Sequence, residues 1–145
     1  MKAHIQRVAR CEVRVGGKRI SSVGRGLLVL VGVGKSDTRE DARFLAKKVV
    51  SLRIFEDEEG RMNLPVTAVQ GEVMIVSQFT LLADTRRGNR PGFQNAADPD
   101  LGETLYEEFC DVVDSLGVPV KTGRFGAFME VELVNDGPVT ILLQS

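Results

Sequence analysis

One histidine, two cysteines and no long apolar run are all that this 145-residue chain offers to several common chemistries. The histidine, His4, stands beside the N-terminus with no nucleophile next to it. A triad needs a base held against its nucleophile, so His4 reads as structural or surface. One histidine without an HxxxH or CxxC pattern leaves no metal-ligand set, and no metal or other cofactor is expected. Cys11 and Cys110 have no ligand spacing either; they read as reduced thiols that only the fold could bring together. The start, Met1 to Arg7, is too polar for a secretion signal, and no apolar run approaches membrane-spanning length. A cytoplasmic protein without membrane contact is expected. Net charge is −1, so no global field draws nucleic acid and any basic patch must be local. Gly34-Lys35-Ser36 resembles the tail of a phosphate loop, but Val29 stands where its leading glycine is required.

What is present is ordinary for a globular protein: 43% apolar and 27% charged residues. The length fits one domain, residues 1–145, able to bury about 70% of its unfolded surface. Ala3 to Ala9 and Glu12 to Val15 are β-like, and Gly16-Gly17 turns them into Lys18 to Val23. Leu27 to Val33 is apolar on both faces, as a fully buried strand requires. The period then changes to helical, with Asp37 as cap, Glu40 at the third position, and Ala42, Leu45, Ala46 and Val49 on one face. Arg53-Ile54-Phe55 is a short strand followed by an acidic turn, Glu56 to Gly60, which lacks the spaced ligands of a calcium loop. Val73 to Phe79 is a second buried strand. A polar loop from Ala83 to Ala97 leads to Asp98-Pro99, a cap followed by a first-turn proline. Leu101, Leu105, Phe109, Val112 and Leu116 form the stripe of that helix, which Gly117 and Pro119 end. Strands over Val118 to Thr122, Phe128 to Val134 and Val139 to Leu143 close the chain. The order βββαββαβββ predicts helices covering a mixed sheet.

Three segments could carry function. Arg86-Arg87-Gly88-Asn89-Arg90 beside Phe93 is either a solvated loop or a place for phosphates and a stacked base. Ser77-Gln78-Phe79-Thr80 ends a buried strand. These residues could simply cap backbone groups, or Gln78 could donate to an oxyanion. Thr80 has no evident base to make it a nucleophile. Asn135-Asp136-Gly137-Pro138 interrupts two strand-like runs. It is a hairpin tip built of turn formers, or a functional backbone with two carbonyls and one N–H.

Together these residues resemble the D-aminoacyl-tRNA deacylase family. The likeness spans the chain: Ile5 to Val8, Met62-Asn63-Leu64, Val76 to Leu81, Ala83-Asp84-Thr85 with Arg87-Gly88 and Arg90-Pro91, Thr122 to Phe125, and Val134 to Thr140. The Ser-Gln-x-x-Leu and Gly-Pro-x-Thr pair is specific in combination. The resemblance implies an α/β fold of three layers, with mixed, largely antiparallel sheets and two main helices. It implies a homodimer with two sites at the subunit interface and aminoacyl-tRNA as substrate. It implies that Gly137 and Pro138, joined by a cis bond, enter the partner's pocket. There their carbonyls face the α-amino group and leave no room for an L side chain. Arg7 is expected to support that pair. The resemblance also implies that Ser77, Gln78, Phe79 and Thr80 form the opposing catalytic wall and makes Phe125 a candidate to contact the terminal adenosine. The implied reaction is hydrolysis of D-aminoacyl-tRNA to free D-amino acid and tRNA. Mischarged glycyl-tRNA is a further expected substrate, since glycine also passes such a filter. The competing class is a nucleic-acid-binding module, as in relatives with a C-terminal DNA-binding extension. This chain ends at Gln144-Ser145 just after its last strand, so DNA binding is not expected.

Overall fold

The computed structural model describes residues 1–145. Strand β1 (Lys2–Val15) is the spine. Gly16 and Gly17, both at positive φ (58° and 75°), turn it into β2 (Lys18–Val23), as a two-residue hairpin requires. β3 (Gly26–Gly32) returns along the first half of β1, pairing Lys2 with Gly32 and Val8 with Gly26. Helix α1 (Arg39–Ser51), a small hairpin of β4 (Phe55–Glu56) and β5 (Met62–Leu64), and β6 (Glu72–Ser77) follow. A short 3-10 turn, Phe79–Leu82, then leads through the polar loop to helix α2 (Pro99–Ser115), β7 (Val120–Thr122) and β8 (Glu130–Gln144). The sheet runs β2-β1-β3-β6-β7, with β8 antiparallel on the other edge of β1. β6 is parallel to both β3 and β7, so the expected mixed, largely antiparallel sheet with two helices is observed.

Two apolar clusters hold these layers. The larger, of 23 buried residues, lies between the sheet and the helices and includes Ile5, Val29, Leu45, Ile75 and Phe109. The smaller, Val8, Cys11, Val13, Val23, Leu28, Met74 and Val76, fills the other face. There β2 curls over until the Ser21 hydroxyl donates to the Thr122 carbonyl at 2.5 Å. Leu27 to Val31, read as buried on both faces, contributes to both clusters. No helix is long and apolar enough to cross a membrane.

Several elements differ from the sequence reading. β4 is Phe55–Glu56 and not Arg53 to Phe55, β5 (Met62–Leu64) is an unpredicted strand, and β7 and β8 start at Val120 and Glu130 and not at Val118 and Phe128. Four further differences have a physical reason. The cap of α1 is Thr38, whose side chain and Asp41 form a reciprocal capping box. Asp37 is held elsewhere, by the Met1 ammonium and the Gly34 amide, both at 2.6 Å. β6 stops at Ser77, so Gln78, Phe79 and Thr80 lie in a turn. In α2 the buried face is Gly102, Leu105, Tyr106, Phe109 and Val113; Leu116 is 40% exposed because the helix ends at Ser115. Finally, the two C-terminal runs are one strand, and the segment between them is no hairpin tip. Replacing Thr38 with alanine removes the side-chain half of the capping box. Denaturant unfolding should show a loss of about 1 kcal/mol; an unchanged midpoint would mean the cap is idle.

Candidate active site

Both flanks of the Asn135–Pro138 segment pair with β1, and the register shows what lies between them. Gln6 pairs with Thr140 and Val8 pairs with Asn135. Arg7 alone therefore faces Asp136, Gly137, Pro138 and Val139, a bulge much larger than the usual one-residue insertion. Val139 turns into the large core and is buried, while Asp136, Gly137 and Pro138 are exposed. The Asn135 side chain closes the bulge from within: its Oδ1 accepts the Val139 N–H at 3.0 Å and its Nδ2 donates to Thr140 Oγ1 at 3.0 Å. The Gly137–Pro138 peptide is cis, and Gly137 has φ 129°. A Cβ on Gly137 would stand 2.9 Å from both Arg7 Nη2 and Val139 Cγ2, so only glycine fits over the arginine.

Arg7 is the one buried charged side chain, at 5% exposure. Its Nε donates to the Asp136 carbonyl at 3.0 Å and its Nη1 to the Ile54 carbonyl at 2.7 Å, with the Asp136 carboxylate 3.5 Å away. The guanidinium thus ties the bulge to the connection after α1. Its planar fork can serve two carbonyls at once, which an ammonium would not reproduce.

The second element is a cavity of about 680 Å³ at the C-terminal end of β6. Ser77, Gln78, Phe79 and Thr80 form one wall, and Phe125, Ala127 and Phe128 another. Phe125 is seated on Tyr106, with centroids 5.9 Å apart, and the Tyr106 hydroxyl donates to the Ile75 carbonyl at 2.8 Å. The Gln78 backbone N–H is already given to the Val31 carbonyl at 2.8 Å, so it is unavailable to a substrate. The amides of Phe79 and Thr80 open the 3-10 turn, where no preceding turn supplies a carbonyl. The Gln78 side-chain amide donates to Thr80 Oγ1. No histidine, lysine or cysteine lines the cavity, and its one charged side chain is Asp98. Sequence reading found Asp98 only as the cap of α2. It does cap, accepting the Leu101 N–H at 2.9 Å, and it faces the cavity as well. Nothing in the Asp-Pro dipeptide distinguishes those two roles.

Of the residues singled out beforehand, Ser77 to Thr80 and Phe125 meet in this cavity, while Arg7, Gly137 and Pro138 meet at the bulge. The two groups are not neighbours in one chain. β8 and β6 are three strand spacings apart, about 14 Å, and Ser77 lies four residues along β6 from the level of Arg7, roughly 13 Å more. His4 is remote from any nucleophile. It pairs with Leu30 and Leu142 across the sheet, and its buried Nδ1 has no partner. Large apolar side chains are exposed at the cavity and along β8: Phe79 (55%), Phe128 (88%), Val134 and Leu142.

Residues 4–144 match the family model described as D-Tyr-tRNA(Tyr) deacylase. The chain belongs to that family. It is 59% identical over 145 residues to a D-aminoacyl-tRNA deacylase of Anaeromyxobacter dehalogenans, covering all of this chain and 97% of that one. A D-aminoacyl-tRNA deacylase of Desulfatibacillum aliphaticivorans is 54% identical, covering 100% and 99%. Among solved structures, the c-Myc DNA Unwinding Element Binding Protein superposes with a TM-score of 0.95 at 42% identity, covering 100% and 99%. A probable eukaryotic D-amino acid tRNA deacylase superposes with a TM-score of 0.84 at 20% identity, covering 99% and 98%, which shows the shared fold.

Family membership aside, the role of Arg7 is testable as physical chemistry. Arg7→Leu keeps the apolar bulk and deletes the donors, leaving the Asp136 and Ile54 carbonyls without them. The loss should be about 1–3 kcal/mol per orphaned carbonyl in equilibrium unfolding. Wild-type stability in Arg7→Leu would show that the bulge stands without its arginine.

Proposed function

We propose that this protein hydrolyses the ester joining a D-amino acid to the 3′-terminal adenosine of tRNA, acting as a homodimer whose sites combine two chains. Family membership supports the activity. The observation that carries the two-chain site is the bulge opposite Arg7: it offers Gly137 and Pro138 at the surface, some 20 Å from the cavity of the same chain by strand spacing. A second copy supplies what one chain separates. The exposed Phe79, Phe128, Val134 and Leu142 are the apolar surface such a pairing would cover.

In this reading the adenosine rests against Phe125 and the ester lies along Ser77 to Thr80. Water attacks the ester carbonyl, and the bond from acyl carbon to ribose oxygen breaks. The products are the free amino acid and tRNA with its hydroxyl restored. The amides of Phe79 and Thr80 are assigned to the negative charge that develops on the carbonyl oxygen, and fixed donors of this kind lower the barrier without a nucleophile. The neighbouring ribose hydroxyl assists proton movement, so the cavity needs no strong base of its own. The partner's Gly137 and Pro138 carbonyls accept the substrate α-ammonium and close the space an L side chain would need. A filter made of backbone reads chirality and ignores side-chain identity. Glycine, which has no side chain to exclude, also passes, so mischarged glycyl-tRNA is a second substrate.

The relative named for DNA-unwinding-element binding favours a second reading, a nucleic-acid-binding module on the same fold. Hydrolysis separates the two, because a binding module leaves both esters intact. Matched D- and L-aminoacyl-tRNA should give rapid release from the D form only. Thr80→Ala should keep most of that turnover, since the amides and not the hydroxyl are assigned to the reaction. A fall of several powers of ten would make Thr80 the nucleophile, and equal cleavage of both enantiomers would end the chirality assignment.

A further inference from the structure

The cavity that takes the terminal adenosine has a charge problem. Its only charged lining group is Asp98, an anion. The RNA strand that leads into that adenosine carries a phosphate at every nucleotide, and none of those phosphates can be neutralised inside this cavity. A whole-chain net charge of −1 offers no general attraction either. Cations must therefore stand next to the cavity and outside it.

The polar loop supplies them. A second cavity, of about 600 Å³, is lined by Asp84, Arg86, Arg87, Arg90, Gly92 and Gln94, with no hydrophobic side chain among them. Its neck is fixed. Asp84 and Gly92 exchange two backbone hydrogen bonds, of 2.8 and 2.9 Å, which close the intervening residues into a loop. Phe93, just beyond that neck, meets Phe79 of the adenosine cavity edge-on, with centroids 5.0 Å apart. The two cavities thus share an aromatic joint.

The three guanidinium groups are not equivalent. Arg86 is taken: its Nε and Nη2 bind both carboxylate oxygens of Asp84, at 2.9 and 2.7 Å, and Asp84 is held down at about 2 by that pairing. Asp84 also accepts the Arg86 N–H and the Gln94 side-chain amide, at 3.0 and 3.3 Å. This cluster is the frame of the loop. Arg87 and Arg90 make no ion pair and stand exposed, three residues apart across Gly88, whose φ is 114°. An apolar ligand gains nothing in such surroundings; a chain of phosphodiesters gains two charge-assisted contacts.

We infer that Arg87 and Arg90 form a binding subsite for the RNA phosphodiester backbone, gripping the single-stranded end of tRNA as it leaves the adenosine cavity. The inference rests on the deacylase reading for the identity of that RNA. Such a subsite supplies affinity and orientation, and it takes no part in ester cleavage. Phosphate contacts of this kind hold register without reading sequence.

The test uses the full-length protein and its R87A/R90A variant in two arms. In the first, deacylated tRNA is titrated across a KCl series. The dependence of log affinity on log salt should flatten by about 1.4–2 in the variant, as expected for two lost contacts to a single strand. In the second, KM for D-aminoacyl-tRNA should rise roughly tenfold, while hydrolysis of D-aminoacyl-adenosine, which has the ester and no phosphate, stays at the wild-type rate. An unchanged salt slope would overturn the inference and leave the loop to some other acidic partner. Equal impairment on D-aminoacyl-adenosine would overturn it too, by placing the arginines in the reaction site. If wild-type protein cleaves neither substrate, the deacylase reading falls, yet the first arm still decides whether the arginines hold RNA.

Discussion

The architecture of the proposed filter hangs on one buried guanidinium. Arg7 lies beneath a strand that departs from its partner for four residues, and its Nε donates to the Asp136 carbonyl within that departure. Burying a charge is costly unless it is well hydrogen-bonded, and here it is bonded to the Asp136 and Ile54 carbonyls. Without it, the bulge would have only Val139 in the core and the Asn135 clasp to hold it. With it, the excursion is tied down at Asp136 and presents Asp136, Gly137 and Pro138 at the surface. The cavity wall and the bulge are built on different strands, but β1 and β3 between them join both to one rigid sheet.

Much of this frame was legible in the residues. Leu27 to Val33 is apolar on both faces because β3 has apolar clusters on both sides. Asp98-Pro99 begins α2 because a cap followed by a first-turn proline has few other uses. The failures are equally physical. Asp37 looked like a cap because local spacing cannot reveal the Met1 ammonium and the Gly34 amide that hold it. Asn135 to Pro138 reads locally as a turn, and its residue types are those of a turn. Only pairing with β1 on both flanks shows that the chain continues in one direction, and that pairing is set by residues more than a hundred positions away. Asp98 facing the cavity, and Gln78 spending its backbone N–H on Val31, are likewise products of packing.

The site residues divide by what each group can do. The Gln78 side chain donates to Thr80 Oγ1, the first amides of the 3-10 turn stay open, and Phe125 packs on Tyr106 at the cavity wall. No side chain in the cavity is arranged as a nucleophile with its base. An activated ester requires little more than a polarised carbonyl and a placed water. The proposed arginine subsite would add reach along the RNA without entering the chemistry. In the proposed two-chain site, selectivity is a matter of exclusion by a wall that the partner's bulge supplies.

Complementation tests that central claim most directly. Gly137→Ala puts a methyl 2.9 Å from Arg7 Nη2 and from Val139 Cγ2, which must displace the bulge. Phe125→Ala removes the ring proposed to hold the adenosine and leaves the bulge intact. Each homodimer should be impaired. A mixture allowed to exchange subunits should recover about a quarter of wild-type D-aminoacyl-tRNA hydrolysis, because random pairing makes half the dimers mixed and each mixed dimer holds one undamaged site of two. Mixed dimers verified by mass, with no recovered activity, would contradict the account and place the whole site within one chain.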